Sequence, residues 1–406
     1  MKSRKVLCYG DFHFLSEPIL IGTLNEDFVG GKSIYSFEFS PSFLMKGFSF
    51  TISPQLEMIS GRQFPSNGKL FGFLGDSSPD RWGRALIRKR FLLEKKDMKT
   101  ISELDYLLGC ADETRMGALR FSFSEKGLFE SFDNLPVPPI AGLRELEAMS
   151  MDYERNDINS KWLENLAIQG SSLGGARPKA TVKDVDNRYF VAKFPSMHDR
   201  YDIGGFEYVV SLLARRAGIK VPDKVNVDKF FSIDKHTFLS SRFDRSSDGK
   251  RIHTASAMTL AGKEDGDEAS VLDLVDIIEQ YSSDVEADLC EMFKRVVFSF
   301  AVNNTDNHLR NHSFVLLKDG WRLAPMYDVN INPDGHIFAL SLDGYDYDWT
   351  REGIINIAGY FRLSKDDAKS IMDMVSNAVP FFQYESKRLG LPSSEIGMCE
   401  KMIRTI

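Results

Sequence analysis

Three polar residues in the second half of this chain, Asp306, Asn311 and Asp328, have the types and spacing that phosphoryl transfer requires. The first two stand five apart in the run Asn303-Asn304-Thr305-Asp306-Asn307-His308-Leu309-Arg310-Asn311, and the third follows two short apolar runs. In such a set one aspartate orients a hydroxyl and accepts its proton, while an asparagine and a second aspartate hold Mg²⁺ against phosphate oxygens. Between Asn311 and Asp328 the pattern predicts a hairpin, with strands over 313–317 and 321–324 and a turn at Lys318-Asp319-Gly320. That hairpin would return Asp328 to the side of the loop. Asp, Asn and Thr also collect in ordinary turns, where their side chains bond nearby backbone. The setting favours chemistry. Upstream, Leu289, Met292, Phe293, Val296, Val297, Phe300 and Ala301 follow helical spacing; downstream, Phe314, Val315, Leu316 and Leu317 read as a buried strand. A polar loop between two core elements points to function.

A second cluster complements the first. Ser171, Ser172, Gly174, Gly175 and Ala176 form a small-residue loop whose N–H groups can approach phosphate oxygens, and Lys179 follows. Lys193 ends a short apolar strand over 189–194, where an ammonium is costly to bury without an anionic partner. Alternatively, its stem packs at a strand edge. The next helix carries the stripe Phe206, Val209, Val210, Leu213 and Ala217, with Glu207 at its margin as either a partner for Lys193 or a plain exposed carboxylate.

The elements ahead of these motifs are strand-rich. Strands are expected over 19–24 and 33–39 around a Gly30-Gly31-Lys32 turn, a helix over 80–93, and a hairpin from 121–123 and 128–129. Trp82 reads as core. The Pro-rich stretch 135–140 is a plausible boundary. A hairpin is expected over 230–245, with its turn over 233–238, and Gly262–Glu268 reads as a polar linker or a loop near the site. His253, His312 and His336 lack metal-site spacing and read as structural residues.

Taken together, the motifs resemble the HipA family, the kinase toxins of bacterial toxin–antitoxin modules. The resemblance is carried by Ser172 to Lys179, Ala192-Lys193, Ser241-Arg242-Phe243-Asp244-Arg245, Asn304 to Asn311, Leu323 to Val329, and Gly72 to Arg84 with its closing Pro79-Asp80-Arg81-Trp82-Gly83-Arg84. It implies an α+β, protein-kinase-like bilobal fold: an N-terminal β-rich subdomain over 1–135, a kinase N-lobe over 136–245 and a mainly helical C-lobe over 246–406. It further implies an ATP- and Mg²⁺-dependent serine/threonine kinase. Asp306 would be the catalytic base, and Asn311 and Asp328 would bind metal. Lys193 would bind the phosphates, and Phe243 would lie at the hinge against adenine. Ser172, Gly174, Gly175, Ala176, Lys179, Glu207, Arg242 and His308 complete the nucleotide-contacting set, His308 also supporting the loop's geometry. Ser172, rather than Ser171, falls where the family often carries an autophosphorylated, silencing serine. Ser241 stands where the family commonly has Glu, which removes one side-chain contact to adenine and leaves the backbone contacts.

The same resemblance implies a small helix-turn-helix antitoxin as partner, DNA only through that antitoxin, and a protein substrate such as an aminoacyl-tRNA synthetase or translation factor. Two other readings share the motifs: a small-molecule phosphotransferase on a kinase-like scaffold, and a pseudokinase-type binding or co-repressor protein. Composition sets outer limits. At 406 residues, 43% apolar and 27% charged, the chain has the makeup of a globular protein with two or three cores, and 31 phenylalanines point to aromatic ones. A net charge of −7 argues against a surface built to bind nucleic acid throughout. Cys8, Cys110, Cys290 and Cys399 have no metal-ligand spacing and read as reduced thiols of a cytoplasmic protein. No signal peptide or membrane span is expected.

Overall fold

Alternation of buried and open residues along Ser3–Gly10 (β1) starts a five-stranded antiparallel sheet. The computed structural model describes residues 3–48, 50–66, 68–93, 101–125, 128–130, 137–157, 177–230, 234–404 and 406. β1 pairs with Ile19–Val29 (β2), Val6 opposite Leu24, and β2 pairs with Lys32–Phe39 (β3). Gly30 and Gly31 make the expected turn with φ of 59° and 83°, a geometry that side chains disfavour. Arg62–Gln63 (β4) and Leu119–Ser122 (β5) complete the order β4-β3-β2-β1-β5. Phe37, Phe71 and Phe73 are fully buried beneath it, Phe37 meeting Phe73 edge-on at 5.5 Å. Burial of each such ring contributes roughly 2–3 kcal/mol. The expected partner strand at 128–129 does not form; the Glu130 N–H donates to the Phe121 carbonyl (2.6 Å) and Ser122 Oγ to the Leu128 carbonyl (3.1 Å).

The chain divides into two compact units, each assembled from several stretches of sequence. One comprises Met1–Met197, Arg242–Ala255 and Leu316–Asp319; the other comprises His198–Ser241, Ser256–Val315 and Gly320–Ile406. In the first, the predicted helix spans Arg81–Leu93 and Trp82 is core, its Nε1–H donating to the Lys179 carbonyl at 3.2 Å. The tryptophan thereby ties the helix to Lys179–Lys183 (β6), which pairs antiparallel with Tyr189–Lys193 (β7).

The second unit is mainly helical. Asp202 caps the Ile203–Arg216 helix by accepting the Gly205 N–H at 2.9 Å, and the stripe Phe206, Val209, Val210, Leu213 and Ala217 is buried as the spacing predicts. The hairpin expected over 230–245 lies earlier, with strands at Val225–Lys229 (β8) and His236–Ser241 (β9). Alternation in 225–229 is weak because that strand is half-open throughout, and the turn expected over 233–238 is displaced, since residues 236–238 already belong to β9; residue 233 lies outside the described residues. A capping box of Ser270 and Asp273 starts the Val271–Tyr281 helix, and Asp284 caps Val285–Ala301. Among the described residues no helix is long and apolar enough to cross a membrane.

Candidate active site

The Val285–Ala301 helix positions both ends of the site in the second unit. Its buried charges are all paired. Glu291 accepts from Arg295 Nε (3.1 Å) and from the Lys220 N–H (2.9 Å), and Arg295 also donates to the Ala324 carbonyl at 2.7 Å. Asp288 accepts from Arg322 Nε (3.0 Å) and from the Leu323 N–H (2.9 Å). One helix therefore grips residues 322–324, just ahead of Asp328, and then runs directly into the loop that bears Asp306. The predicted hairpin is present as Ser313–Leu317 and Gly320–Leu323, and the Ala324 N–H donates to the Ser313 carbonyl at 2.9 Å. Tyr327 closes it, its hydroxyl 2.5 Å from Ser313 Oγ and donating to the Arg310 carbonyl at 2.7 Å.

Within the loop, Asn303, Asn304, Thr305 and Asn307 are buried whereas Asp306 is open, its side chain 78% exposed. The Asn311 amide donates to the Asp306 carbonyl at 2.8 Å, so the predicted pair is joined through main chain. His308 lies 3.9 Å from the Asp306 carboxylate. The dense loop beneath Asp306 withdraws part of its hydration and Asp328 adds a like charge; together they raise its pKa above the ordinary carboxylate value, against an opposing pull from His308. Asp328 itself has φ 55°, a left-handed conformation that Asp tolerates better than most residues. Burial pushes His312 down to about 3, so it stays neutral, its Nε2 3.3 Å from the Asn307 carbonyl. The Gly262–Glu268 segment is tied to this loop: Asp265 receives a two-pronged pair from Arg310 at 2.9 and 2.7 Å.

Other predicted residues fall in the first unit. Lys179 and Lys193 stand directly opposite each other in the β6–β7 register and so share one face. Lys179 is buried and Lys193 half-buried. Phe243 is half-buried between two fully engaged neighbours. Arg242 is one of them, and its side chain is committed within the protein rather than left open for a nucleotide. Its guanidinium donates to Asp244 at 2.8 and 2.6 Å, to the Thr114 carbonyl at 2.7 Å and to the Arg115 carbonyl at 3.2 Å, so its donors are spent on a buried cluster. Glu207, in the second unit, is buried, which removes the exposed-carboxylate reading. Ser171, Ser172, Gly174, Gly175 and Ala176 lie outside the described residues.

The HipA-like C-terminal domain matches residues 171–381, and the HipA N-terminal domain matches residues 15–122. The chain belongs to the HipA family. The HipA chain of the Shewanella oneidensis MR-1 toxin–antitoxin complex with HipB and operator DNA is 16% identical. It superimposes with a TM-score of 0.67 over 95% of this chain and 93% of that one. The fold is thus the α+β, kinase-like fold of HipA. A Haemophilus influenzae protein bearing a provisional kinase name is 27% identical over 196 residues, 43% of this chain. The match spans 57% of that relative's length.

Several residues that shape this HipA-type loop escaped sequence reasoning. Asn303, with φ 52° and no exposed surface, donates from its amide to the carbonyls of Asn332 (2.8 Å) and Gly335 (2.9 Å). The turn-like run Asn332-Pro333-Asp334-Gly335 was the available signal, but nothing local tied it to residue 303.

Proposed function

We propose that this HipA-family chain is a serine/threonine protein kinase that uses Mg·ATP and acts as the toxin of a toxin–antitoxin module. The observation that carries the reading is an open Asp306 bonded through its carbonyl to Asn311 and close enough to Asp328 to sense its charge. Asp306 accepts the proton of the acceptor hydroxyl, and its raised pKa strengthens it as a base. Asn311 and Asp328 are the residues that would hold Mg²⁺, an ion commonly bound by one or two carboxylates plus substrate phosphates. The donor set fits: hard oxygens beside a carboxylate that a cation would relieve of like-charge repulsion. Bound there, the ion neutralises charge on the transferring phosphoryl group. By the family resemblance, Lys193 and Lys179 would contact the phosphates and Phe243 the adenine.

The relative solved with HipB and operator DNA supports a small helix-turn-helix antitoxin as partner, with DNA reached through it. The substrate is a protein of the translation apparatus, and Ser172 is the site of self-inactivation, because a phosphate on the Gly174-Gly175 loop repels those of ATP. The test is incubation of purified protein with labelled ATP, with and without Mg²⁺, followed by phosphosite mapping. Metal-dependent label on Ser172, with activity declining as it accumulates, is expected. Undiminished activity with no phosphate on Ser172 removes the switch, and no label transfer to any protein removes the kinase assignment. A neighbouring reading frame for a short helix-turn-helix protein is expected as well.

A further inference from the structure

We propose that Arg404 is a positioning residue: through the Asn303 amide it holds the loop bearing Asp306 in register with the segment that follows Asp328. Its Nη2 donates to Asn303 Oδ1 at 3.0 Å, and its main-chain N–H donates to the Ala301 carbonyl at 2.8 Å. The guanidinium also lies over the rings of Phe300 (4.7 Å) and Phe338 (5.2 Å). An arginine can only donate, so it selects the orientation of the Asn303 side chain: oxygen toward Arg404, NH₂ toward the Asn332 and Gly335 carbonyls.

From those two carbonyls the connection continues along both strands of the lock. The Asn332 N–H donates to the Asn303 carbonyl (3.2 Å), Asn332 Nδ2 donates to Thr305 Oγ1 (2.8 Å), and the Ala339 N–H donates to the Thr305 carbonyl (2.9 Å). Thr305 immediately precedes Asp306, and Asn332 lies four residues after Asp328. Gly335 is a further requirement of the lock: a Cβ there would fall well inside contact distance of Thr305 Oγ1 and Asn332 Nδ2. No other arrangement of the Asn303 amide satisfies all three of its partners. Removing the arginine leaves the buried Asn303 oxygen without its side-chain donor and loosens the anchor that the two carboxylate-bearing segments share.

This inference rests on the kinase reading, and the experiment separates the two. Arg404→Ala, Arg404→Lys and Gly335→Ala are compared with the unsubstituted protein for kcat, for KM toward ATP, and for hydrogen exchange over residues 303–312. Arg404→Ala should lower kcat by about ten- to a hundredfold, the scale of a small misplacement of reacting groups, with KM for ATP nearly unchanged. Exchange in the loop should quicken, and Arg404→Lys, which can still donate to Asn303, should restore most of both. Gly335→Ala, which strikes the lock from its other side, should move kcat and exchange in the same direction. Unchanged kcat and exchange in Arg404→Ala would overturn the inference, as would a loss that appears only as KM. Absence of transfer by the unsubstituted protein would overturn the kinase reading instead, and exchange still reports on the lock.

Discussion

Two polar clusters stand out in this molecule, and they are opposites. Around Asp244 in the first unit, Arg242, Arg245 and the Gly117 N–H converge on one carboxylate at 2.6–2.8 Å, all of them buried. Burial alone would raise the Asp244 pKa; the two arginines overcome that and hold it far below the carboxylate range. Around Asp306 in the second unit, Asn303, Asn304, Thr305 and Asn307 are buried but the carboxylate itself is left open. Both motifs looked functional as strings of residues. Saturation separates them: a group whose bonds are all made is structural, whereas one left open in a rigid frame retains capacity for a ligand.

The comparison can be broken by experiment. Asp306→Asn should reduce phosphoryl transfer by about 10²–10⁴ while leaving the unfolding midpoint unchanged, because only proton acceptance is lost; full activity in the purified variant would place the base elsewhere. Asp244→Asn should do the reverse. It strands buried arginine charge and should cost about 3–5 kcal/mol of stability, read by denaturant titration, with an intact rate per folded molecule. An unaltered midpoint there would contradict the clamp.

A smaller effect is expected from Asp328→Ala, which should weaken Mg²⁺-dependent binding of a non-hydrolysable ATP analogue, while Lys193→Ala should weaken it with or without the metal. Calorimetric titration distinguishes the two, and equal wild-type affinity in both would move the nucleotide site. Smallest is a pH effect on the first unit. Burial lowers His253 to about 3, so below its unfolded pKa, about 6.5, the unfolded chain takes up a proton that the native state refuses. Stability should therefore fall as pH drops from about 6.5 toward 3, by about 1.4 kcal/mol per unit for this group. Denaturation midpoints at pH 7, 6 and 5 measure it, and His253→Gln should flatten the slope.

Much of this was legible in the residues themselves. The buried helix ahead of Asp306, the hairpin ahead of Asp328, the glycine turn at 30–31 and the core position of Trp82 all follow from periodicity and turn chemistry, which are local properties. The family itself was readable because several short motifs occur in a fixed order. Tertiary structure alone decided the rest. Whether Arg242 faces a ligand or a carboxylate, whether Glu207 is open or buried, and that Arg404 reaches Asn303 a hundred residues away depend on which surfaces fold against each other. A hydrogen bond across such a separation leaves no spacing in the sequence, because its geometry is set by the packing of whole helices and strands rather than by neighbours along the chain.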